Sequence, residues 1–203
     1  LTEIGTLKEA LRRAARARSR ALDPDQRQEA SDKISLRLLA DPDLERARRV
    51  AAYVAMADEV ETRDLIGRII ALKGFVLLPR RRPEGGMPDL HVVRRFPDGH
   101  TAGSHGLVEP SPEVHPETLP PSEVDLFLVP GLAFDRTGRR LGRGGGGYDR
   151  LLAAASGARK IGLAFGFQIL ETPLPKEPHD VPMDRLITEE EVIAPESVRD
   201  VRS

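Results

Sequence analysis

The chain has 203 residues, 39% of them apolar, with 31 basic against 32 acidic side chains for a formal charge of −1, and no cysteine. A chain of this length buries roughly 70% of its unfolded surface in one core without staples, and the missing thiols exclude a disulfide framework, thiolate metal sites and a cysteine nucleophile. Balanced charge excludes a global field that would draw the protein to nucleic acid or anionic lipid, and no apolar stretch approaches the ~20 residues that span a bilayer, so any anion must be held by a local site.

In chain order, Thr6 with Glu9 three residues on is a capping-box signal, and Leu7, Leu11, Ala14, Ala15 and Leu22 recur at helical spacing. A first helix over about 6–22 is predicted. Asp23-Pro24 opens a second helix, with Ala30, Ile34 and Leu38 as its apolar stripe. Val50 to Val54 reads as a buried strand, Thr62 caps a helix through about Leu72, and Phe75 to Leu78 is the next strand, which makes one βαβ unit. Leu90 to Phe96 reads as a further strand. The stretch from Pro97 to Pro121 holds five more prolines and little apolar periodicity, so it is expected to be a long functional connection.

Val124 to Val129 is the clearest core strand. It leads through Pro130-Gly131 into a glycine run, a helix from Tyr148 to about Ala155 and a strand at Ile161 to Phe165, closing a second βαβ unit. Thr172 to Pro182 is a proline-broken loop, Arg185 to Thr188 an edge strand, and the residues from about Ala194 a frayed tail. Alternating strands and helices predict an α/β three-layer sandwich with a mostly parallel, Rossmann-like central sheet. A single cytoplasmic, monomeric domain with no nucleic-acid or membrane partner is expected.

The segment from Arg139 to Asp149, with Arg140, Leu141, Gly142, Arg143, Gly144, Gly145, Gly146, Gly147 and Tyr148 between, carries the chemistry. Glycines let backbone amides approach an anion, the following helix adds a partial positive charge, and arginines supply forked donors for phosphate oxygens. A Walker loop is excluded, because no glycine-lysine is followed by serine or threonine. Gly142, Gly144 and Gly147 fit the literal dinucleotide pattern, but twelve residues separate Val129 from Gly142 and the next strand ends in Phe165-Gly166 rather than an acid.

The run Val129-Pro130-Gly131-Leu132-Ala133-Phe134-Asp135, Gly138, Arg140-Leu141-Gly142, glycines and Tyr148-Asp149-Arg150 resembles the signature of the 5-formyltetrahydrofolate cyclo-ligases. The resemblance extends through Lys8 to Arg12, Tyr53 to Met56, Glu59 to Thr62, Leu78-Pro79-Arg80, Gly106 to Pro110, and Leu174-Pro175 with His179-Asp180 and Met183-Asp184. It implies an ATP- and Mg2+-dependent closure of 5-formyltetrahydrofolate to the 5,10-methenyl form, with the formyl oxygen phosphorylated first. By that resemblance Lys8 and Arg12 reach the nucleotide, and Arg140 to Tyr148 wrap its phosphates, with Arg140, Arg143 and Tyr148 at the reacting groups. Asp149 and Asp180 hold Mg2+ directly or through water. Val54, Met56, Glu59 and Gly147 face the folate, with Glu59 an acceptor for pterin N–H groups.

One departure stands out. The family carries two aromatic residues before the aspartate, and the first of these positions is Gly147 here, so a stacking partner is missing. A family member that binds ATP or folate without turnover is the main rival reading, and a nicotinamide-dependent oxidoreductase the third. Of the remaining groups, His91, His100, His105 and His115 lack metal-ligand spacing and read as surface residues, and Arg80-Arg81-Arg82 as a solvated loop.

Overall fold

The structure is a computed structural model and describes residues 3–102 and 108–195. Helix α1 (Glu3–Ala21) starts before Thr6, so the expected capping box is not formed, and Glu9 instead pairs with Arg12 Nη1 at 3.1 Å. Its buried face also differs from the apolar stripe. Leu7 is 51% exposed and Ala14 exposed, while Lys8 and Ser19 are buried, because the helix lies partly on polar loops. Helix α2 (Pro24–Leu39) starts as its sequence requires, with the Asp23 side chain accepting from the amides of Asp25 and Gln26, and it buries Ile34 and Leu38 completely.

A short α3 (Pro42–Arg46), capped by Asp41, precedes β1 (Val50–Ala51). The predicted strand is longer than the ladder. The Ala52 amide still bonds Leu77, after which Tyr53 and Val54 leave the sheet and stay buried. In α4 (Arg63–Lys73) Thr62 is at the cap position, but its hydroxyl donates to the Tyr53 carbonyl at 2.6 Å, and Glu61 Oε1 takes the amides of Thr62 and Arg63. Then follow β2 (Val76–Arg80), β3 (Asp89–Val93), β4 (His100–Ala102), β5 (Val108–Pro110) and β6 (Thr118–Leu119), so the proline-rich connection holds short strands that the periodicity did not reveal.

Beyond them lie β7 (Leu126–Val129), β8 (Ala133–Asp135), β9 (Arg140–Leu141), α5 (Gly147–Ala154), β10 (Arg159–Leu163), β11 (Ile169–Leu170), β12 (Arg185–Ile187) and β13 (Val192–Ile193). The main sheet runs β13-β12-β10-β7-β1-β2-β3-β6. Strands β12, β10, β7, β1 and β2 are mutually parallel, and β13, β3 and β6 extend the two edges antiparallel. Strand β12 is therefore interior, because β13 covers the edge it was expected to form. The expected tail from Ala194 lies mostly outside the described residues.

Successive strand residues face opposite layers, as the pleat demands. Val50, Val76, Leu78, Leu126, Leu128 and Ile161 pack with Ile34, Leu38, Leu65, Ile66 and Ile69 of α2 and α4. Ala51, Leu77, Phe127, Val129 and Leu186 pack with Leu151, Leu152 and Ala155 around α5. These are the three layers the sequence predicts. Chain order reverses between β7 and β1, since β1 connects outward to β2 and β7 to β10, and open parallel sheets bind ligands at such a point. Among the described residues no helix is long and apolar enough to cross a membrane.

Candidate active site

A cavity of about 300 Å³ opens at this reversal point. Tyr53 and Val54, past the end of β1, and Pro130 and Gly131, past the end of β7, form its floor. Between β7 and the glycine run the sequence reading saw no structure, yet β8 and β9 pair antiparallel there, with β11 beside β8. That small sheet carries Arg140 back to the cavity and delivers residues 142–147 along its side.

Gly144 and Gly146 have φ of +100° and +65°, a region costly for residues with a Cβ, and Gly146 in this conformation caps α5. The first bond of that helix runs from the Arg150 amide to the Gly146 carbonyl, which leaves the amides of Gly147, Tyr148 and Asp149 without helical partners at the cavity wall. Such a terminus attracts anions. Arg140, its side chain 5% exposed, donates to Asp149 at 2.6 Å and to the Pro130 carbonyl at 3.2 Å, with its guanidinium 5.7 Å from the Tyr148 ring centroid. The Tyr148 hydroxyl is buried with no hydrogen-bond partner, and burial together with the charge of Glu59 pushes its acidity well away from ordinary tyrosine, toward the neutral form.

Arg143 ties the glycine run to the segment after β1. Its Nε donates to Glu59 Oε1 at 3.1 Å and its Nη2 to Asp58. The other oxygen of Glu59 accepts from the Met56 amide at 3.0 Å, so both are occupied. Burial raises the Glu59 carboxyl, the nearby Arg143 charge and the Met56 amide pull it down, Asp58 pushes it up, and the balance lies above the ordinary value. Val54, Met56 and Glu59 all line the cavity. Gly147 lines it too, where a Cβ would make ordinary contact with Pro88 and Gly86 at 3.7–3.8 Å.

Lys8, Arg12, Leu141 and Asp180 are not among the lining residues. Lys8 is buried, with its ammonium on Asp180 at 2.6 Å and Glu177 at 2.7 Å. Burial pulls the Lys8 pKa down, but the hydrogen bonds to Asp180 and Glu177 and their charges outweigh that and hold it above the ordinary lysine value. Arg12 and Arg16 donate to the carbonyls of Gly142 and Arg143, so α1 braces the glycine run from behind. The Leu141 side chain packs with Ala133 and Leu174, and its carbonyl accepts from the Leu132 amide at 2.8 Å, so it holds β9 in place rather than facing the cavity. Of the two aspartates expected at a metal, Asp149 lines the cavity and Asp180 is held beside Glu177 and His179.

Sequence reasoning missed Asp58, Arg81, Glu109 and Arg150 as site residues. Asp58 and Arg150 adjoin candidates in the chain, whereas Arg81 and Glu109 reach the cavity only through the pairing of strands. His91 and His115, expected at the surface, are buried, with His91 Nδ1 donating to the His115 carbonyl at 2.6 Å. His105 lies outside the described residues.

The model of the 5-formyltetrahydrofolate cyclo-ligase family matches residues 5–189. The 5-formyltetrahydrofolate cyclo-ligase of Mycolicibacterium smegmatis is 41% identical over 145 residues, 70% of this chain and 73% of the relative. The Escherichia coli K12 cyclo-ligase is 32% identical over 180 residues, 87% of this chain and 97% of its own. The NMR structure of the Aquifex aeolicus 5,10-methenyltetrahydrofolate synthetase superposes with a TM-score of 0.81 at 34% identity, covering 97% of this chain and 95% of that one. A matching model over nearly the whole length, a relative 32% identical over 87% of the chain and a shared fold leave one conclusion: the chain belongs to the 5-formyltetrahydrofolate cyclo-ligase family.

Proposed function

We propose that this protein catalyses the ATP-dependent cyclisation of 5-formyltetrahydrofolate to 5,10-methenyltetrahydrofolate. The observation that carries the reading is one cavity lined by two chemically different sets of groups. The Arg140 guanidinium and the free amides that open α5 line it together with Tyr53, Val54, Met56 and Pro79. A triphosphate tail suits the first and a flat heterocycle the second.

A formamide oxygen is a poor leaving group. It attacks the γ-phosphorus, breaking the bond to ADP; the other folate nitrogen then donates its lone pair to the formyl carbon, loses its proton, and phosphate departs with the former formyl oxygen. Such chemistry asks a protein for position and neutralised charge rather than a nucleophile. Arg140 and the amides of Gly147 to Asp149 hold the phosphates, while Arg12 and Arg16 fix the loop that presents them. Tyr148, kept neutral, has a hydroxyl available to donate to an oxygen at the reacting centre.

Asp149 fits a magnesium ion carried by the nucleotide, since one of its oxygens takes Arg140 and the other makes no hydrogen bond. An ion held there would offset the negative charge of the phosphates, with Asp149 as its protein carboxylate. Asp180 serves through Lys8, whose ammonium it holds. The protein therefore acts in the compartment that supplies ATP and reduced folates.

Purified protein mixed with 5-formyltetrahydrofolate and Mg-ATP is expected to develop the near-ultraviolet absorbance of the methenyl product, and to do so only with ATP. Binding of both substrates without that absorbance would assign it instead as a non-catalytic binder.

A further inference from the structure

Gln168 ends the tight turn Gly166–Gln168 that follows β10, is 2% exposed, and is not among the residues lining the cavity. Its side chain engages three backbone groups in two loops. Nε2 donates to the carbonyls of Gly131 at 3.1 Å and Leu132 at 3.3 Å, and Oε1 accepts from the Phe165 amide at 2.9 Å. Two carbonyls on one end and an N–H on the other leave the amide a single orientation, and a buried amide is costly unless both ends are bonded in this way. The loops it joins leave two neighbouring parallel strands, β7 and β10.

The segment that Gln168 holds is the support of Arg140. Pro130 and Gly131 line the cavity, and the Pro130 carbonyl accepts from Arg140 Nη1 at 3.2 Å. The Leu132 amide donates to the Leu141 carbonyl at 2.8 Å, one residue along from Arg140. Residues 130–132 therefore meet Arg140 both through its guanidinium and through its strand. A side chain at position 131 could not lock this segment, because a Cβ there would fall 2.5 Å from the Phe134 ring, so its carbonyls are the groups left to hold it. We propose that Gln168 is a positioning residue for the reaction: by fixing the Gly131 and Leu132 carbonyls it sets the Pro130 carbonyl, and through it the direction in which Arg140 meets the phosphates. The inference rests on the ATP reading above and adds to it a residue outside the cavity.

Gln168→Met keeps the volume and removes all three hydrogen bonds. A misplacement of ~1 Å costs on the order of 100-fold, so this variant is expected to lower kcat/KM for Mg-ATP about 10- to 100-fold while the KM for 5-formyltetrahydrofolate changes less than about threefold. The cycle with Arg140→Ala separates positioning from stability. In that background Gln168→Met should have no further effect on kcat/KM for Mg-ATP, because the group it directs is gone, although it lowers the melting temperature in both backgrounds. Equal losses of kcat/KM in the two backgrounds, or a loss shared equally between ATP and the folate, overturn the proposal. If Gln168→Met fails to fold, Gln168→Glu, which keeps the acceptor for the Phe165 amide and withdraws a donor from the two carbonyls, carries the same cycle. A wild type that binds Mg-ATP but forms no product strikes the assigned reaction and not Gln168, because the calorimetric Kd for Mg-ATP in the same four proteins then makes the comparison; a wild type that binds no Mg-ATP overturns both.

Discussion

Arg143 joins the glycine run to the wall of the cavity, and its removal gives a quantitative prediction. Its side chain is 27% exposed, against 14% for Asp58 and 8% for Glu59, so Arg143→Ala leaves two neighbouring carboxylates largely buried with no cation between them. Breaking a buried pair costs ~3–5 kcal/mol, and the partial exposure of the guanidinium reduces this to about 2–3 kcal/mol. In a chain of this size that is a fall in Tm of roughly 5–10 °C.

The loss depends on pH in a defined direction. Glu59 binds its proton at a higher pH when folded than when unfolded, so between those two values the native state holds more protons and stability falls as pH rises. Without Arg143 the folded value climbs further and the window widens. The deficit of the variant should therefore be greatest at neutral pH and shrink toward pH ~5. Urea unfolding of Arg143→Ala, Glu59→Gln and the double variant checks this, with Glu59→Gln recovering about half of the loss in the double-mutant cycle. A deficit below about 0.5 kcal/mol, or no recovery in the double variant, would refute the clamp.

The buried Lys8 pair should show itself at both extremes of pH. Burial opposes both charges, yet mutual hydrogen bonds leave Lys8 raised and Asp180 lowered, so their contribution is present from above the unfolded carboxylate value to below the unfolded lysine value. It is lost as pH falls through the depressed Asp180 value or rises through the raised Lys8 value. Lys8→Met should lower the urea midpoint by the equivalent of about 2–4 kcal/mol on the plateau and flatten both limbs, and a parallel pH profile in variant and wild type counts against the pair. At Gly147 a Cβ would meet Pro88 and Gly86 at 3.7–3.8 Å, ordinary contact, so the backbone accepts a side chain there and Gly147→Tyr should fold. A ring there adds a stacking contact of ~0.5–1.5 kcal/mol, a two- to tenfold gain in kcat/KM for the folate; lower turnover in folded protein would show that the glycine is itself required.

Elements whose signals are local were legible. Asp23-Pro24 started α2, the unbroken Leu126 to Val129 run marked the central strand, and the glycines ahead of Tyr148 marked a helix start that presents amides. Strands β8 and β9 were not legible, because two or three residues cannot display a period. The face of α1 was misjudged for a related reason: Leu7 has the right spacing for burial, but the helix meets Asp180, Gly142 and Arg143 rather than the core, and Lys8 is the residue it buries.

By itself the sequence determined the alternation of strand and helix, the run of glycines and arginines over residues 140–149 and the family, since each depends on residue types a few positions apart. Only the tertiary structure decided that Arg143 meets Asp58 and Glu59, 85 and 84 positions away, that Lys8 meets Asp180, and that Glu109 enters the cavity. The physical reason is that a charge acquires its partner from the order in which strands assemble, and neighbours in the chain carry no record of that order.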